Sequence, residues 1–529
     1  ASDIVAVGFN AMEVATTAIR CTAVGPSVMG DGIVTGADNT AIGSKSQLNV
    51  TSGASNTSVG SLSMGVGVTT GDDNVAVGYR AGEDLTSGTA NTAVGAKSQL
   101  NATTGEYNTS LGSLSMGAGA TTGDHNVAVG YAAGISIAAG TFNVLVGNSA
   151  GTALSTGTEN VAIGHQALTT ENAHGKNVAV GHTALQTLDA NADGKNVAIG
   201  NAAGKLMSTG LANTIVGADS GDALTTASNC VFVGKASGTA MTTGGENIAI
   251  GLNALSTEDT GIGSVAVGHN ALQDQNNNAQ NSNVALGHSA GMQLSSGIKN
   301  TIIGAEAIVN GITTGNLNVA LGFQAGKEVT SGTNNTLLGS LTGDALTTGD
   351  NNIIIGHAAA ASAVGVDNTT VIGTTTTTNA IVHGLRKPVI NIGATTNKVA
   401  TVGGLHIFND DSNATITLPD SADSVMIGAS VEFAVAASVA TASNPLQRII
   451  LHASEKIIGQ VLMIDTDTSD ANKSIAVAAG DNIVAIDFNG STQGLVGSHV
   501  KLTNIAANVW IVEGSIQHNG AVASPFATS

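Results

Sequence analysis

Apolar and polar residues alternate in a pentapeptide that returns along most of the chain, typified by Asn74-Val75-Ala76-Val77-Gly78. It occurs 22 times, its last glycine running from Gly8 to Gly373, at intervals of 17 residues in most cases and 18 or 19 in a few. Alternation with a period of two predicts a strand, with Val75 and Val77 on one face and Asn74 and Ala76 on the other. A second short element follows the glycine, as in Tyr79-Arg80-Ala81-Gly82 or His165-Gln166-Ala167-Leu168, and a Thr-Ser-Gly or Thr-Thr-Gly bend leads to the next Asn. A helix would need apolar residues three and four apart, and a glycine in every turn would cost about 1 kcal/mol relative to alanine. The repeat therefore predicts one coil of a parallel β-solenoid, holding two or three very short strands.

Stacked coils place equivalent residues about 4.8 Å apart, so each position becomes a column. Val and Ile are expected to form the dry core column. Asn39, Asn74, Asn91, Asn126, Asn160, Asn177, Asn196 and Asn247 are expected to form a ladder of side-chain amides, each bonded to the coils above and below. Gly78, Gly130, Gly164, Gly181 and Gly251 stand where a corner needs positive φ or where another backbone comes close. Cys21 and Cys230 fall in the Asn column and read as buried substitutes, too far apart to bond within one chain. The segment from Asn39 to Gly82 reappears almost verbatim from Asn91 to Gly134, a displacement of 52 residues that marks duplication of a three-coil block.

After Gly373 the pattern stops. Residues 1–375 form the repetitive shaft, 376–404 a neck containing Arg386-Lys387-Pro388, and 405–529 a different domain, which holds the only tryptophan, Trp510. Alternating segments at 414–418, 430–435, 483–486 and 500–502 predict an antiparallel β-sandwich or jelly roll. The fold class is therefore all-β: a solenoid (β-roll or β-helix) of about 22 coils followed by a C-terminal β domain.

Composition narrows the function. Charged residues are 10% of the chain and aromatics 2%, with 70 glycines, against about 25% charged in an average globular chain. Disorder is excluded by the 42% of hydrophobic residues and their strict period. A net charge of −20 repels phosphate backbones, so no nucleic-acid partner is expected. No stretch approaches 18 apolar residues, so no membrane insertion is expected. The start Ala1-Ser2-Asp3 has neither Met nor a signal-like region, which fits processing or a segment of a longer chain.

No catalytic, cofactor or metal motif occurs, and the carboxylates stand singly at turns, as in Gly71-Asp72-Asp73 and Gly349-Asp350. The chain is read as no enzyme. The residue after the motif glycine varies most and carries Tyr79, Tyr131, His165, His182, His269, His288, Phe323 and His357. These form a candidate surface-contact column, where planar side chains stack on each other, touch an adjacent chain, or meet a receptor or glycan. Threonine pairs at the bends, such as Thr69-Thr70 and Thr225-Thr226, raise an ice-binding solenoid as a minor alternative.

The motif Asn-x-Val/Ala-Ile/Val-Gly-x-x-Ala, once per coil over residues 1–375, resembles the left-handed β-roll head repeats of trimeric autotransporter adhesins. It is also similar to the repeat arrays in phage tail-fibre shafts, and the Trp510 region resembles the small trimeric β domains that end many phage fibres. The coil here is longer than the usual head repeat, and the adhesins' coiled-coil stalk and membrane anchor are missing from this sequence. The resemblance implies a homotrimer in a virion, as a tail or head fibre beside other virion structural proteins, presenting a host-contact surface. The alternative is a bacterial surface adhesin head at the cell surface; a glycan-degrading fibre is a third reading.

Overall fold

In the computed structural model, residues 2–374 are described apart from 278, 279 and 312, together with strand segments beyond residue 374. The chain forms two compact units, Ala1–Ala380 and Ile381–Ser529.

The first unit is the expected parallel β-solenoid. Each coil contributes one three-residue strand, from β1 (Val5–Val7) and β2 (Thr22–Val24) through to β21 (Ile353–Ile355) and β22 (Thr370–Ile372), and the 22 strands form one sheet. Neighbours pair parallel with equivalent residues opposite one another, as in Val5↔Thr22, Ala6↔Ala23 and Val7↔Val24. At the usual spacing, 21 such steps extend the sheet by about 100 Å.

The strand faces are the reverse of the expectation that Val and Ile line the core. In β5 (Val75–Val77) it is Ala76 that is buried, while Val75 and Val77 are half-exposed, and nearly every strand repeats this. The ladder decides the matter. Asn and the central strand residue share a face, and the Asn amide must point inward to tie coils together, so the flanking Val and Ile point out. The inside is filled instead by Ala, by larger central residues such as Leu145, Ile215 and Phe232, and by residues from the bends.

The bends replace the second strand that the sequence suggested. Each coil turns through residues in the left-handed region, for example Lys176 (φ 63°), Thr183 (φ 55°) and Leu185 (φ 48°). That conformation costs a non-glycine residue about 1–2 kcal/mol. It is held by bonds to the next coil, such as Leu185 N–H to the Ala203 carbonyl at 3.0 Å. Core volume is conserved by exchange between two bend positions. Where the eighth residue after the ladder Asn is Gly, the eleventh is large, as in Gly151 with Leu154; where the eighth is Leu168 or Leu255, the eleventh is Glu171 or Glu258. A Cβ on Gly151 would lie 2.7 Å from a Leu145 methyl and 2.9 Å from one of Leu154.

The Asn ladder runs through the buried interior. Asn91 Nδ2 donates across its own coil to the Gly105 carbonyl (2.7 Å) and to Asn74 Oδ1 (3.1 Å), which also accepts Asn91 N–H (2.9 Å). Asn39, Asn126, Asn160, Asn177, Asn196 and Asn247 are buried in the same column. Cys21 and Cys230 occupy it as free, buried thiols, and Cys230 N–H still reaches Asn213 Oδ1 at 2.9 Å. Burial pushes the Cys230 thiol up to about 11. Replacing Asn177 by Ala would strip the acceptor from both Asn196 N–H and Asn196 Nδ2 (3.2 Å each). The expected loss is about 2–3 kcal/mol, read from equilibrium denaturant unfolding.

In the second unit, β23 (Val389–Ile392) to β34 (Phe526–Thr528) form sheets of seven and five strands. Strands β27 (Ser430–Val435), β32 (His499–Ala506) and β33 (Val509–His518) make an antiparallel sheet whose Val431, Phe433, Val500, Leu502, Trp510 and Val512 are fully buried. Other pairs in these sheets run parallel, including Val389–Ile392 with Leu405–Phe408, so the sheets are mixed rather than purely antiparallel. The Arg386-Lys387-Pro388 segment lies outside the described residues.

Candidate functional site: the outward face and its bordering columns

The reversed strand faces leave an apolar stripe on the outside of the solenoid. The third residue after the ladder position is Val, Ile or Leu in all 22 strands, from Val7 to Ile372. Ile199 is 41% exposed, Leu286 47% and Leu111 48%. Beside it runs a second column of Val, Ile and Thr, such as Val178, Val197 and Thr214. Neither column carries a charge in any coil.

The motif glycine closes this face. Gly78, Gly130, Gly164, Gly181 and Gly251 have φ between 133° and 142°, and a Cβ on Gly181 would lie 2.1 Å from the Gly200 carbonyl oxygen. Both reasons read from the sequence apply, and the backbone that comes close belongs to the next coil of the same chain.

Past the glycine, Tyr79, Tyr131, His165, His182, His269, His288, Phe323 and His357 are all exposed. Of these, His165 stacks on His182 (centroids 5.2 Å, 10° between planes) and His269 on His288 (5.0 Å, 19°). The others have no ring partner in the column; between Tyr79 and Tyr131 stand Ala96 and Ser113. Along the opposite edge, immediately before the ladder Asn, is a stack that the sequence reading missed. Tyr107, His125 and Phe142 lie parallel at 5.0 Å steps, with 2° and 5° between successive planes. The signal was present as Tyr107-Asn108, His125-Asn126 and Phe142-Asn143, three aromatic rings in consecutive coils.

The polar bend residues are largely spent inside the molecule. In several threonine pairs the first hydroxyl donates to the next coil: Thr69 to the Leu85 carbonyl (3.3 Å), Thr225 to Thr242 (3.0 Å) and Thr347 to Val364 (3.1 Å). Asp72 and Asp350 cap the preceding coil, accepting the Ala54 and Thr333 N–H groups at 2.7 Å. Two carboxylates point inward. Glu258 accepts from Gly261 N–H (2.8 Å), Gln275 Nε2 (2.9 Å) and Asn281 Nδ2 (2.7 Å). Glu171 accepts from His174 N–H (3.0 Å) and from Ala190 N–H of the next coil (3.2 Å), with His174 Nδ1 at 3.7 Å. Among the described residues, no group of three or more His, Cys, Asp or Glu is placed to hold a metal ion.

Burial raises the Glu171 carboxyl above its ordinary value of 4.5. A raised folded-state value means that its contribution to stability is complete below that ordinary value and is lost as pH rises through the raised one. The Glu171→Gln variant should therefore lose less thermal stability than wild type between pH 4 and neutrality, read as the pH dependence of the melting temperature. No family model, curated protein or solved structure matches this chain.

Proposed function

We propose that the chain is a structural fibre protein of a virion, whose solenoid packs side by side with two further copies through the outward Val/Ile/Leu face. The single observation that carries the assembly is the 22-tier uncharged apolar column left on the outside. An exposed apolar patch beyond a few hundred Å² marks an interaction surface. Two columns wide and about 100 Å long, this face offers roughly 1,000 Å² per chain, comparable to the ~800 Å² per partner of a standard stable interface. A second copy suits it because the face repeats at the strand spacing, so an aligned neighbour meets the same apolar tier at each step.

The number three and the setting on a virion rest on the resemblance of the repeat to adhesin heads and phage-fibre shafts. In this reading the solenoid spans distance, and the variable columns of rings and imidazoles supply contacts to a host receptor or glycan. No catalytic step belongs to the reading. In its support, the buried carboxylates Glu171 and Glu258 are engaged by backbone and amide donors, and the buried Glu83 is paired with Arg80.

Gold-labelled antibody against the solenoid, imaged on purified particles and on cells of the producing culture, tests the setting. Label on a tail or head appendage is expected. Label confined to the cell envelope would replace the virion reading with the surface-adhesin one.

A further inference from the structure

The interior of the solenoid is not uniformly apolar. Its buried apolar side chains form three separate clusters: Met12 to Val50, Met64 to Ala102, and Met116 to Ala361. The two gaps fall at hydroxyl layers. In the first, Ser46, Ser58 and Ser63 replace the alanines that other coils place there, with Oγ–Oγ distances of 2.5 Å (Ser46–Ser58) and 2.7 Å (Ser58–Ser63). In the second, Ser98, Ser110 and Ser115 repeat the arrangement at 2.6 and 2.5 Å. A buried glutamine accompanies each layer, Gln47 and Gln99, where other coils hold Leu, Met, Ile, Gly or Ala. The layers are 52 residues apart, one copied block.

We infer that these layers divide the solenoid into three cooperative segments and are the places where it yields. Stability in a stacked repeat is close to a sum of coil terms and nearest-neighbour interface terms, so cooperativity fails where an interface is weakest. At each layer, contacts between apolar side chains are exchanged for hydroxyl pairs, which add little net stability in exchange for their hydration. The Asn ladder and the strand pairing continue across, as in Asn56 N–H to Asn39 Oδ1 at 3.0 Å, so the layer opens without severing the sheet. The first layer is the weaker. Gln47 Oε1 is buried with no hydrogen-bond partner, whereas Gln99 Nε2 reaches both the Asn108 and Thr92 carbonyls. The N-terminal hundred residues thus form a compliant stretch on a stiffer body, whether or not the chain assembles.

Native-state hydrogen exchange on the full chain, resolved by peptide, tests this. Strand amides flanking Ser58 should exchange about tenfold faster than those of β9 to β12 (Val144–Val146 to Val197–Ile199), with those flanking Ser110 in between. The variant Ser46→Ala/Gln47→Met/Ser58→Ala/Ser63→Ala should restore the first layer to the protection of the body and leave the second unchanged. Conversely, Ala150→Ser/Ala162→Ser/Ala167→Ser should create a new fast-exchanging layer inside the third cluster. Uniform protection along the wild-type solenoid would overturn the inference without any variant, as would a serine triplet at 150, 162 and 167 that opens nothing.

Discussion

Gly181→Ala is expected to destabilise the solenoid by more than about 3 kcal/mol, among the largest effects of any single substitution in the chain. Two penalties add. The backbone at Gly181 has φ +142°, which side-chain-bearing residues rarely adopt, and the new methyl would sit 2.1 Å from the Gly200 carbonyl oxygen and 2.5 Å from its carbon. Neither atom can give way, because both belong to the backbone of the next coil, which is held at this residue by the Gly200 N–H bond to the Val180 carbonyl at 2.8 Å. Gly82→Ala provides the contrast. Its φ is +57°, a conformation that Met64, Leu168 and Leu185 adopt at the same place in other coils, and the nearest atoms to its Cβ are 3.6 and 3.7 Å away. About 1 kcal/mol is expected there, from backbone preference alone. Denaturant unfolding of both variants, followed by circular dichroism, separates the two glycine roles.

The second large effect concerns assembly. Val180, Ile199 and Val216 are successive tiers of the outward column, paired across adjacent strands. Replacing them as Val180→Lys, Ile199→Glu and Val216→Lys sets opposite charges opposite one another, which favours the individual coil. The same charges cannot be covered by an apolar neighbour without losing water. The variant is expected to keep the circular dichroism of the wild type while its chain–chain dissociation constant rises by at least about 100-fold, some 2.7 kcal/mol or more, as measured by sedimentation velocity over a dilution series. An unchanged mass would mean that this face is not the contact.

Much of the architecture was legible because the constraints that build it are periodic. Stacking turns each sequence position into a column, so the Asn ladder, the motif glycines and the two cysteines could be placed by counting alone. The strand segments at 430–435, 483–486 and 500–502 were legible for the ordinary reason that alternation with a period of two marks a strand. The side on which Val75 and Val77 lie was not. Hydrophobicity argues for the inside, and only the geometry of Asn74, whose amide crosses the coil to the Gly88 carbonyl at 2.9 Å, forces Ala76 inward and the valines out.

The bends were illegible for a different reason. Thr183 and Leu185 adopt left-handed backbone without any of the residues that advertise it, because bonds to neighbouring coils impose that conformation. Of the outward column of rings and imidazoles, only the two histidine pairs touch within the chain, and contact along a column depends on neighbours being large in consecutive coils. The Tyr107–His125–Phe142 stack meets that condition, but its residues sit before the Asn, where most other coils hold Asp, Glu, Asn, Lys, Ser or Ala, so no column stood out.

The account turns on the outward apolar face being covered by further copies of the chain. Sedimentation equilibrium of the purified protein at micromolar concentration measures this directly. A mass three times the 51.7 kDa of one chain is predicted. A stable monomer, with the 22-tier column left open to water, would contradict it.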